Sequence, residues 1–323
     1  MNAKTNSQFH SNTSNLQFLF ESYLSEAQYS KNLSPRTIKG YREVFTIFQK
    51  LLPDIKETDD LHPSLMNEFY KRLSTRKRIV GRDTVKVGVK PSTIRTYYNK
   101  LIAFFRWLEN NNYIENRNLT KHIIKPPQPT YEDEKSLSNS EVSKIIASIS
   151  LHNMDDPFMY KRDMLIVSLL LYTGIRKGEL LALRVQDVDF ENKTLFIDGH
   201  TSKSKKSRFI PLHFTLISHL KVYLKERKSK KLYTDALIVS SQQDKALSEY
   251  GLKYWVKKYS KLSGIKFHIH RFRHTFACTL AKEKADIISI MRVLGHSSTQ
   301  MTERYLRSIT TENSRNFIEK MSF

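Results

Sequence analysis

The stretch HIHRFRHTFACTLAKEKADIISIMRVLGHSSTQMTERYL, residues 268–306, decides the fold of this chain. Its apolar spacing predicts helices over 270–283 and 286–293, followed by a helix that holds Tyr305. Three side chains suited to binding a phosphate, His270, Arg273 and His296, precede that tyrosine. We interpret the stretch as the second half of an active site.

The first half of that site lies about a hundred residues earlier in the chain. The segment LLYTGIRKGELLAL contains Arg176, which falls in the turn between a predicted core helix at 159–173, ended by Gly174, and a short helix. The segment TSKSKKSRFIPL contains Lys203, on the turn of a hairpin predicted from strands at 194–198 and 208–212. Both side chains are therefore expected on turns between regular elements.

In order and spacing, these residues resemble the catalytic set of the tyrosine recombinase (integrase) family. The set is an Arg, a Lys, a His-x-x-Arg pair, a second His and a Tyr, and all six positions are filled here by Arg176, Lys203, His270, Arg273, His296 and Tyr305. The nine-residue step from His296 to Tyr305 also matches the family pattern. The resemblance implies a mainly α fold with a small antiparallel β-sheet, made of a helical core-binding (SAM-like) domain and an α+β catalytic domain.

The resemblance also implies the roles of the charged residues and the nucleophile. Tyr305 would attack the DNA phosphate, while Arg176 and Arg273 would hold its two nonbridging oxygens with their planar forks of donors. Glu179 would support Arg176 rather than act in catalysis. Lys203 would be the general acid for the departing 5′ oxygen, with Lys205 in the same turn as the alternative.

The histidines have two interpretations. By resemblance, His270 and His296 handle the proton of the tyrosine and hydrogen-bond the phosphate, roles suited to an ordinary pKa near ~6.5, and His274 is structural. The other interpretation is a zinc cluster of His268 with these three histidines. No cysteine or carboxylate completes such a site at ligand spacing, so we expect no metal and no cofactor.

The charge of the chain favours a polyanionic partner. The formal net charge is +22, from 54 Lys and Arg against 32 Asp and Glu. Residues 1–125 carry 21 basic and 11 acidic side chains, a net of +10, which leaves +12 for residues 126–323. Because both parts are basic, the pattern suits a clamp on duplex DNA better than a single cationic anchor.

Composition shifts along the chain divide it into four segments. Residues 1–13 are polar and expected to be disordered, 14–124 form the helical core-binding domain, 125–135 (KPPQPTYEDEK) are a linker, and 136–323 are the catalytic domain with a C-terminal tail helix. No apolar run approaches the ~20 residues of a spanning helix, so no membrane is expected. The single cysteine, Cys278, is expected to be a packed core thiol in a reducing cytosol.

The N-terminal helices present basic outer faces. Helices are predicted from Asn15, after the Ser34-Pro35 cap, over 63–73 and from Ser92. The segment 74–90, with six Lys or Arg, is either a short hairpin or a loop along phosphates. The candidate DNA contacts of the whole chain are Arg36, Lys39, Arg42, Arg76, Lys77, Arg78, Arg95, Lys205 and Lys206.

The function implied by the resemblance is site-specific DNA recombination through a 3′-phosphotyrosyl intermediate, without metal or ATP. The partners would be a duplex DNA recombination site, three further copies in a synaptic homotetramer and accessory directionality proteins, in the cytoplasm of a prokaryote at its nucleoid. The tail 312–323 would dock on a neighbouring copy, with docking in cis as the alternative.

Two other functions and two cellular roles stay open. A type IB topoisomerase would use a similar site to relax supercoils, and a catalytically idle architectural protein would only bind DNA. The two-domain layout resembles the Xer branch. Because residues 74–90 are longer than the equivalent Xer loop, integration of a mobile element is as open as resolution of chromosome or plasmid dimers.

Overall fold

The computed structural model divides into two compact units, Met1–Tyr131 and Glu132–Phe323. It describes residues 14–81, 83–114, 118–127, 136–202, 205–241, 243–299 and 302–303. The predictions for Lys203, Tyr305, residues 1–13 and the tail 312–323 lie outside the described residues, as does most of the segment 125–135. The division between the units falls inside that segment, whose role as a linker stays a prediction.

The first unit is built from helices around an aromatic core. Its helices are α1 (Leu16–Tyr29), α2 (Pro35–Leu51), α3 (Leu65–Thr75), α4 (Pro91–Asn110) and α5 (Leu119–His122), with a 3₁₀ turn at Thr58–Asp60. The Ser34 side chain accepts from the Thr37 amide at the start of α2, as the Ser-Pro cap predicts. In the core, the Phe20 and Phe45 rings stack 3.9 Å apart, and Phe104 meets both edge-on.

The basic segment 74–90 forms a hairpin, the first of its two open interpretations. Strand β1 (Lys77–Val80) pairs antiparallel with β2 (Thr84–Val87), and we call these two strands and their turn the ribbon. The pairing of Ile79 with Val85 fixes its register. The alternation of apolar and polar residues was therefore the better predictor of the structure of this segment than its charge density.

The second unit is built mainly from helices, with one apolar helix in its core. The helices are α6 (Asn139–His152), α7 (Pro157–Thr173), α8 (Lys177–Ala182), α9 (Phe214–Ser229), α10 (Glu249–Ser263), α11 (Ile269–Lys282) and α12 (Ile287–Leu294). Helix α7 is the core helix: it packs against α6, α9 and α11 and buries apolar side chains over most of its circumference. Ser138 and Glu141 form the predicted capping box at the start of α6.

A three-stranded antiparallel sheet completes the second unit. Its strands are β3 (Val188–Asp189), β4 (Thr194–Ile197) and β5 (Arg208–Pro211), in the order β3-β4-β5. The β4–β5 hairpin confirms the sequence prediction, whereas β3 was not predicted, because two residues carry no alternation. Helices and this small sheet confirm the mainly α fold class. Among the residues that the structure describes, no helix combines the length and apolar character needed to cross a membrane.

Candidate active site

The site begins where the core helix α7 ends. Gly174 ends that helix with a left-handed φ of 58°, and a Cβ there would lie 2.4 Å from the Phe276 ring. The chain then enters α8 with Arg176 at its N-cap, where the backbone N–H donates to Glu179 Oε2 and Nη1 donates to Oε1, both at 2.9 Å. Glycine at this turn thus allows the chain to leave the core helix tightly, so that the backbone of Arg176 is positioned by the end of α7.

Glu179 is a buried carboxylate shared between two arginines. Besides Arg176 it accepts from Arg208, with Nη2 at 2.8 Å from Oε2 and Nη1 at 3.2 Å from Oε1, and from the Ser202 hydroxyl at 2.9 Å. Burial acts to raise the pKa of Glu179, but the hydrogen bonds and charges of Arg208 and Arg176 outweigh it and hold the pKa at about 2. The carboxylate is therefore ionised and acts as a fixed support for both guanidiniums.

Arg273 is the most deeply buried arginine of the site. Its side chain leaves α11 at 1% residual exposure and donates from Nη1 to the Gly174 carbonyl at 2.8 Å and from Nη2 to the Leu294 carbonyl at 2.7 Å. It thus ties the end of α7 to the end of α12. A guanidinium held at both arms has little freedom to reorient when a phosphate arrives.

Three arginines from distant segments hold three successive carbonyls at the end of α12, an arrangement we call the arginine clamp. Arg208 Nε donates to Val293 O at 2.8 Å, Arg273 Nη2 to Leu294 O at 2.7 Å, and Arg176 Nη2 to Gly295 O at 2.8 Å. The last carbonyls of a helix lack intrahelical partners and carry its partial negative charge, so they suit cationic donors.

The residue after the clamp is His296. Gly295 turns the chain there with a φ of 65°, and a Cβ on it would lie 2.9 Å from Arg208 Nη1. His296 is 8% exposed, and its Nδ1 lies 2.9 Å from the Thr302 hydroxyl. The clamp therefore sets the position of one imidazole relative to two of the predicted catalytic arginines.

The electrostatic setting of His296 differs from the sequence expectation. Burial lowers its pKa to about 3, helped by the charges of Arg273, Arg176, His270 and Arg208. The imidazole is therefore neutral at neutral pH, and the expected ordinary pKa is wrong for this residue. The main cause is burial, and the charges of arginines from separate parts of the chain add to it.

The three other candidate histidines, His268, His270 and His274, differ in their environments. His270 is exposed in the first turn of α11, close enough for its charge to act on His296, and His268 is exposed just before that helix. His274 is buried, with Nδ1 at 3.5 Å from the Sγ of Cys278, which is itself buried as predicted. Within the described ranges, no three His, Cys, Asp or Glu side chains form a group that could hold a metal ion.

Lys203 and Tyr305 lie outside the described residues, and only residues near them in the sequence are described. Ile197 pairs with Arg208 at the ends of β4 and β5, so the turn that carries Lys203 starts beside an arginine of the clamp. Lys205 and Lys206 of that turn are exposed. Thr302, which contacts His296, precedes Tyr305 by three residues in the sequence.

The candidate DNA contacts of the first unit differ in how far they are engaged within the protein. Arg36 and Lys39 are exposed on α2, whereas Arg42 pairs with Glu21 at 2.5 Å. Arg95 donates to the Pro126 carbonyl.

The candidates around the ribbon differ in the same way. Arg76 is half-buried before β1 and Lys77 is exposed in it. Arg78 Nε donates to the Gly88 carbonyl at 2.7 Å. Arg42, Arg78 and Arg95 therefore have intramolecular partners that the sequence did not reveal.

Sequence reasoning missed Arg208, Ser202 and Thr302. Arg208 stands in the predicted strand RFIPL, where a charged first residue normally faces solvent, and its partner Glu179 is 29 residues away. A signal was available for Ser202 alone, because it is a neighbour of Lys203 in the basic turn. The structure thus brings three guanidiniums and the imidazole of His296 together at the end of α12.

Comparisons with known proteins identify the family of this site. Residues 135–312 match the model of the phage integrase family. The tyrosine recombinase XerA of Pyrococcus horikoshii is 35% identical over 278 residues, covering 86% of this chain and 92% of the relative. The tyrosine recombinase XerC of Oceanobacillus iheyensis is 28% identical over 298 residues, covering 90% of this chain and 91% of the relative.

The fold has matching neighbours among solved structures. The XerH site-specific recombinase bound to a palindromic difH substrate, in a post-cleavage complex, has a TM-score of 0.70 at 23% identity, covering 93% of this chain and 84% of that chain. A lambda integrase in a tetramer bound to a Holliday junction has a TM-score of 0.66 at 18% identity, covering 91% of this chain and 78% of that chain.

The chain belongs to the phage integrase family. It is an enzyme of site-specific recombination, a tyrosine recombinase of the Xer-like type that cleaves and rejoins DNA. The named relatives are recombinases, so they support neither a topoisomerase nor a catalytically idle DNA-binding protein.

Proposed function

We propose that the chain exchanges strands between two duplex DNA sites through a 3′-phosphotyrosyl intermediate, with Tyr305 as the nucleophile. The observation that carries this proposal is the arginine clamp, which gathers Arg176, Arg273 and the imidazole of His296 at the end of one helix. Two pre-positioned guanidiniums can neutralise the charge that develops on the nonbridging oxygens without reorganising during the reaction.

The roles of the other groups follow from their chemistry. In the tautomer whose Nδ1 accepts from the Thr302 hydroxyl, neutral His296 would present its Nε2–H to a phosphate oxygen. Exposed His270 would take the proton of the Tyr305 hydroxyl as its oxygen attacks phosphorus. The bond from phosphorus to the 5′ oxygen breaks, and that oxygen receives a proton from the Lys203 ammonium.

Rejoining reverses these steps with a different 5′ hydroxyl. The free 5′ hydroxyl of the partner strand attacks the phosphotyrosyl ester and releases the tyrosine, so strands are exchanged without net hydrolysis. Because the ester retains the energy of the broken phosphodiester, no ATP is consumed. We propose that the reaction needs no metal ion, since protein cations supply the charge.

The partners are proposed from charge and from relatives. Both parts of the chain are basic, which supports contact with a duplex along its length. Because lambda integrase forms a tetramer on a Holliday junction, we propose a synaptic homotetramer here, with the tail 312–323 donated in trans. Accessory directionality proteins and a place at the prokaryotic nucleoid belong to the same proposal.

Covalent trapping followed by a two-site assay tests this function. Cells that naturally contain the protein would be lysed under denaturing conditions, and the DNA that stays attached to the protein would be sequenced. Duplexes carrying the recovered site would then be incubated with purified protein and EDTA. We expect a covalent adduct on one site and exchanged strands with two. An adduct that only relaxes supercoils would indicate a topoisomerase, and binding without an adduct would indicate an architectural protein.

A further inference from the structure

The ribbon presents two chemically different faces. Residues paired across antiparallel strands project to the same side, and the side alternates along each strand. The pairs Lys77 with Val87 and Ile79 with Val85 therefore share one face, and the pairs Arg78 with Lys86 and Val80 with Thr84 share the other. We call the first of these the apolar face, because three of its four side chains are apolar.

The apolar face is open to solvent. Ile79 is 73% exposed, Val85 61% and Val87 67%. These β-branched side chains lie side by side on an extended surface, while the aromatic core of the same unit is fully enclosed. Adjacent exposed apolar side chains of this size mark a surface that a partner covers.

The root of the ribbon is fixed to the helical body of its unit. The Gly88 amide donates to Arg76 O at 2.9 Å, and a Cβ on Gly88, whose φ is 67°, would lie 2.3 Å from Ser74 O at the end of α3. Val89 packs against the unit's core immediately afterwards. The two strands therefore project from a rigid base, which suits a surface that must enter a partner at one angle.

Charge selects the kind of partner. Residues 76–90 contain one acidic side chain, Asp83, and six basic ones: Arg76, Lys77, Arg78, Arg82, Lys86 and Lys90. The net charge of the segment is therefore 6 − 1 = +5. A second copy of the chain would bring the same positive charge to the contact, whereas duplex DNA neutralises it.

The width of the ribbon indicates which groove of B-DNA it can enter. Two paired strands lie about 4.8 Å apart, and with their side chains they are roughly 10 Å wide. The major groove of B-DNA is about 12 Å wide and admits a two-stranded ribbon, whereas the minor groove is only about 6 Å wide. In the major groove, the group that an apolar side chain recognises is the thymine methyl.

We propose that the ribbon lies in the major groove with its apolar face toward the base edges, where Ile79, Val85 and Val87 read thymine methyls. Its basic residues contact the flanking phosphates. The ribbon thus adds a sequence-reading element to the core-binding unit, separate from the catalytic residues. This inference rests on the proposed binding of duplex DNA.

Selection from a random duplex pool tests this inference in the full chain. Wild type would be compared with the double variant Ile79→Ser/Val85→Ser, and with Val80→Ser on the opposite face as the matched control. We expect wild type and control to enrich the same site, and the double variant to lose preference at a contiguous block of A·T pairs. Identical enrichment by all three proteins would overturn the proposal.

Deoxyuridine substitution gives a second readout that needs no protein variant. Replacing the thymines of that block with deoxyuridine removes only methyl groups, so wild type should lose about fourfold in affinity per contacted thymine. The double variant keeps Val87, so it should lose affinity only at the thymine that this residue contacts. Unchanged wild-type affinity would contradict thymine reading, and a double variant that loses self-association without DNA would assign the face to a second copy instead.

The cleavage reaction separates failure of this inference from failure of the proposed function. The selected duplexes would also be tested for the covalent adduct. If the adduct forms while the double variant selects the same DNA as wild type, the recombinase function stands and the groove contact is wrong. If no protein forms an adduct, the function itself is contradicted.

Discussion

The arginine clamp and the ribbon both use cations, but in opposite settings. In the clamp, Arg273 is 1% exposed, the Arg208 side chain is 9% exposed, and every guanidinium donates to a backbone carbonyl. In the ribbon, Lys77 and Lys86 are exposed at the surface. The same charge is therefore oriented by fixed donors in one region and surrounded by water in the other.

This difference suits the two regions to two different tasks on DNA, reaction at one phosphate and binding along the backbone. A buried guanidinium of fixed orientation acts on one phosphate strongly, because water does not screen it and no reorganisation is needed. An exposed lysine acts on the phosphate backbone by releasing counterions, which gives affinity that depends on salt. We therefore expect substitutions in the clamp to affect reaction rate and substitutions in the ribbon to affect binding.

The largest effect is expected for Arg273→Lys. Lysine keeps the charge but cannot hold both Gly174 O and Leu294 O, so the rate of adduct formation at saturating DNA should fall about 10³-fold. Arg271→Lys makes the same change two residues earlier, where the guanidinium pairs with Glu141 and donates to the carbonyls of Lys266 and Ser136, and it should stay within a few-fold of wild type. Equal rates for the two variants in single-turnover cleavage would show that Arg273 has no role in the reaction.

A smaller loss is expected for Arg208→Gln, which tests whether this arginine acts through others. Without its charge, Glu179 loses one of its two guanidiniums and Val293 O loses its donor, so Arg176 and His296 are less well positioned. The cleavage rate should fall about 10- to 100-fold while the duplex Kd stays unchanged, and Arg208→Lys should restore part of it. A weakened Kd with a normal rate at saturation would instead make Arg208 a direct DNA contact.

The depressed pKa of His296 predicts how stability depends on pH. The unfolded imidazole takes up a proton near its ordinary pKa of ~6.5, whereas the folded one stays neutral down to about 3. Its contribution to the free energy of unfolding is therefore complete above pH ~6.5 and is lost as the pH falls toward 3. Between pH ~6.5 and ~5 the loss is about 2 kcal/mol.

Urea titrations at two pH values isolate this contribution. The fall in unfolding free energy from pH ~7.5 to pH ~5 should be smaller in His296→Gln than in wild type, because the other histidines titrate alike in both proteins. Parallel losses in the two proteins would mean that His296 has an ordinary pKa and that the arginine clamp does not act on it.

The smallest effect is expected on the ribbon side. Lys86→Gln removes one exposed cation, so the slope of log K against log salt should become shallower by about 0.9. Affinity should fall only a few-fold at moderate salt, and the cleavage rate at saturating DNA should not change. A lower cleavage rate at saturating DNA would contradict the expectation that the ribbon affects only binding.

The sequence predicted the elements whose signals are local. The Ser34-Pro35 cap, the Ser138 and Glu141 capping box and the stop at Gly174 each lie within a few residues of the helix end that they define. Alternation along residues 83–89 supported a hairpin, but the charge of the segment 74–90 supported a loop equally well. Only cross-strand pairing decides between those two structures.

The parts that could not be predicted depend on contacts between distant residues. Arg208 belongs to the site because its strand places it against Glu179, 29 residues away, and beside the end of α12, 85 residues away. The pKa of His296 reflects its burial and the charges of arginines from three segments. Sequence spacing can identify which residues act together, but these couplings arise only in the folded chain.

The central claim is that Tyr305 attacks DNA within the site formed by the clamp, and mapping the covalent adduct tests it most directly. After cleavage of a duplex carrying the recovered site, digestion at glutamates releases residues 304–312, RYLRSITTE, a peptide with a single tyrosine. Mass spectrometry should find a 3′-linked nucleotide on this peptide in wild type and no adduct at all in Tyr305→Phe. A nucleotide on any other peptide, or an adduct that survives in Tyr305→Phe, would contradict the account.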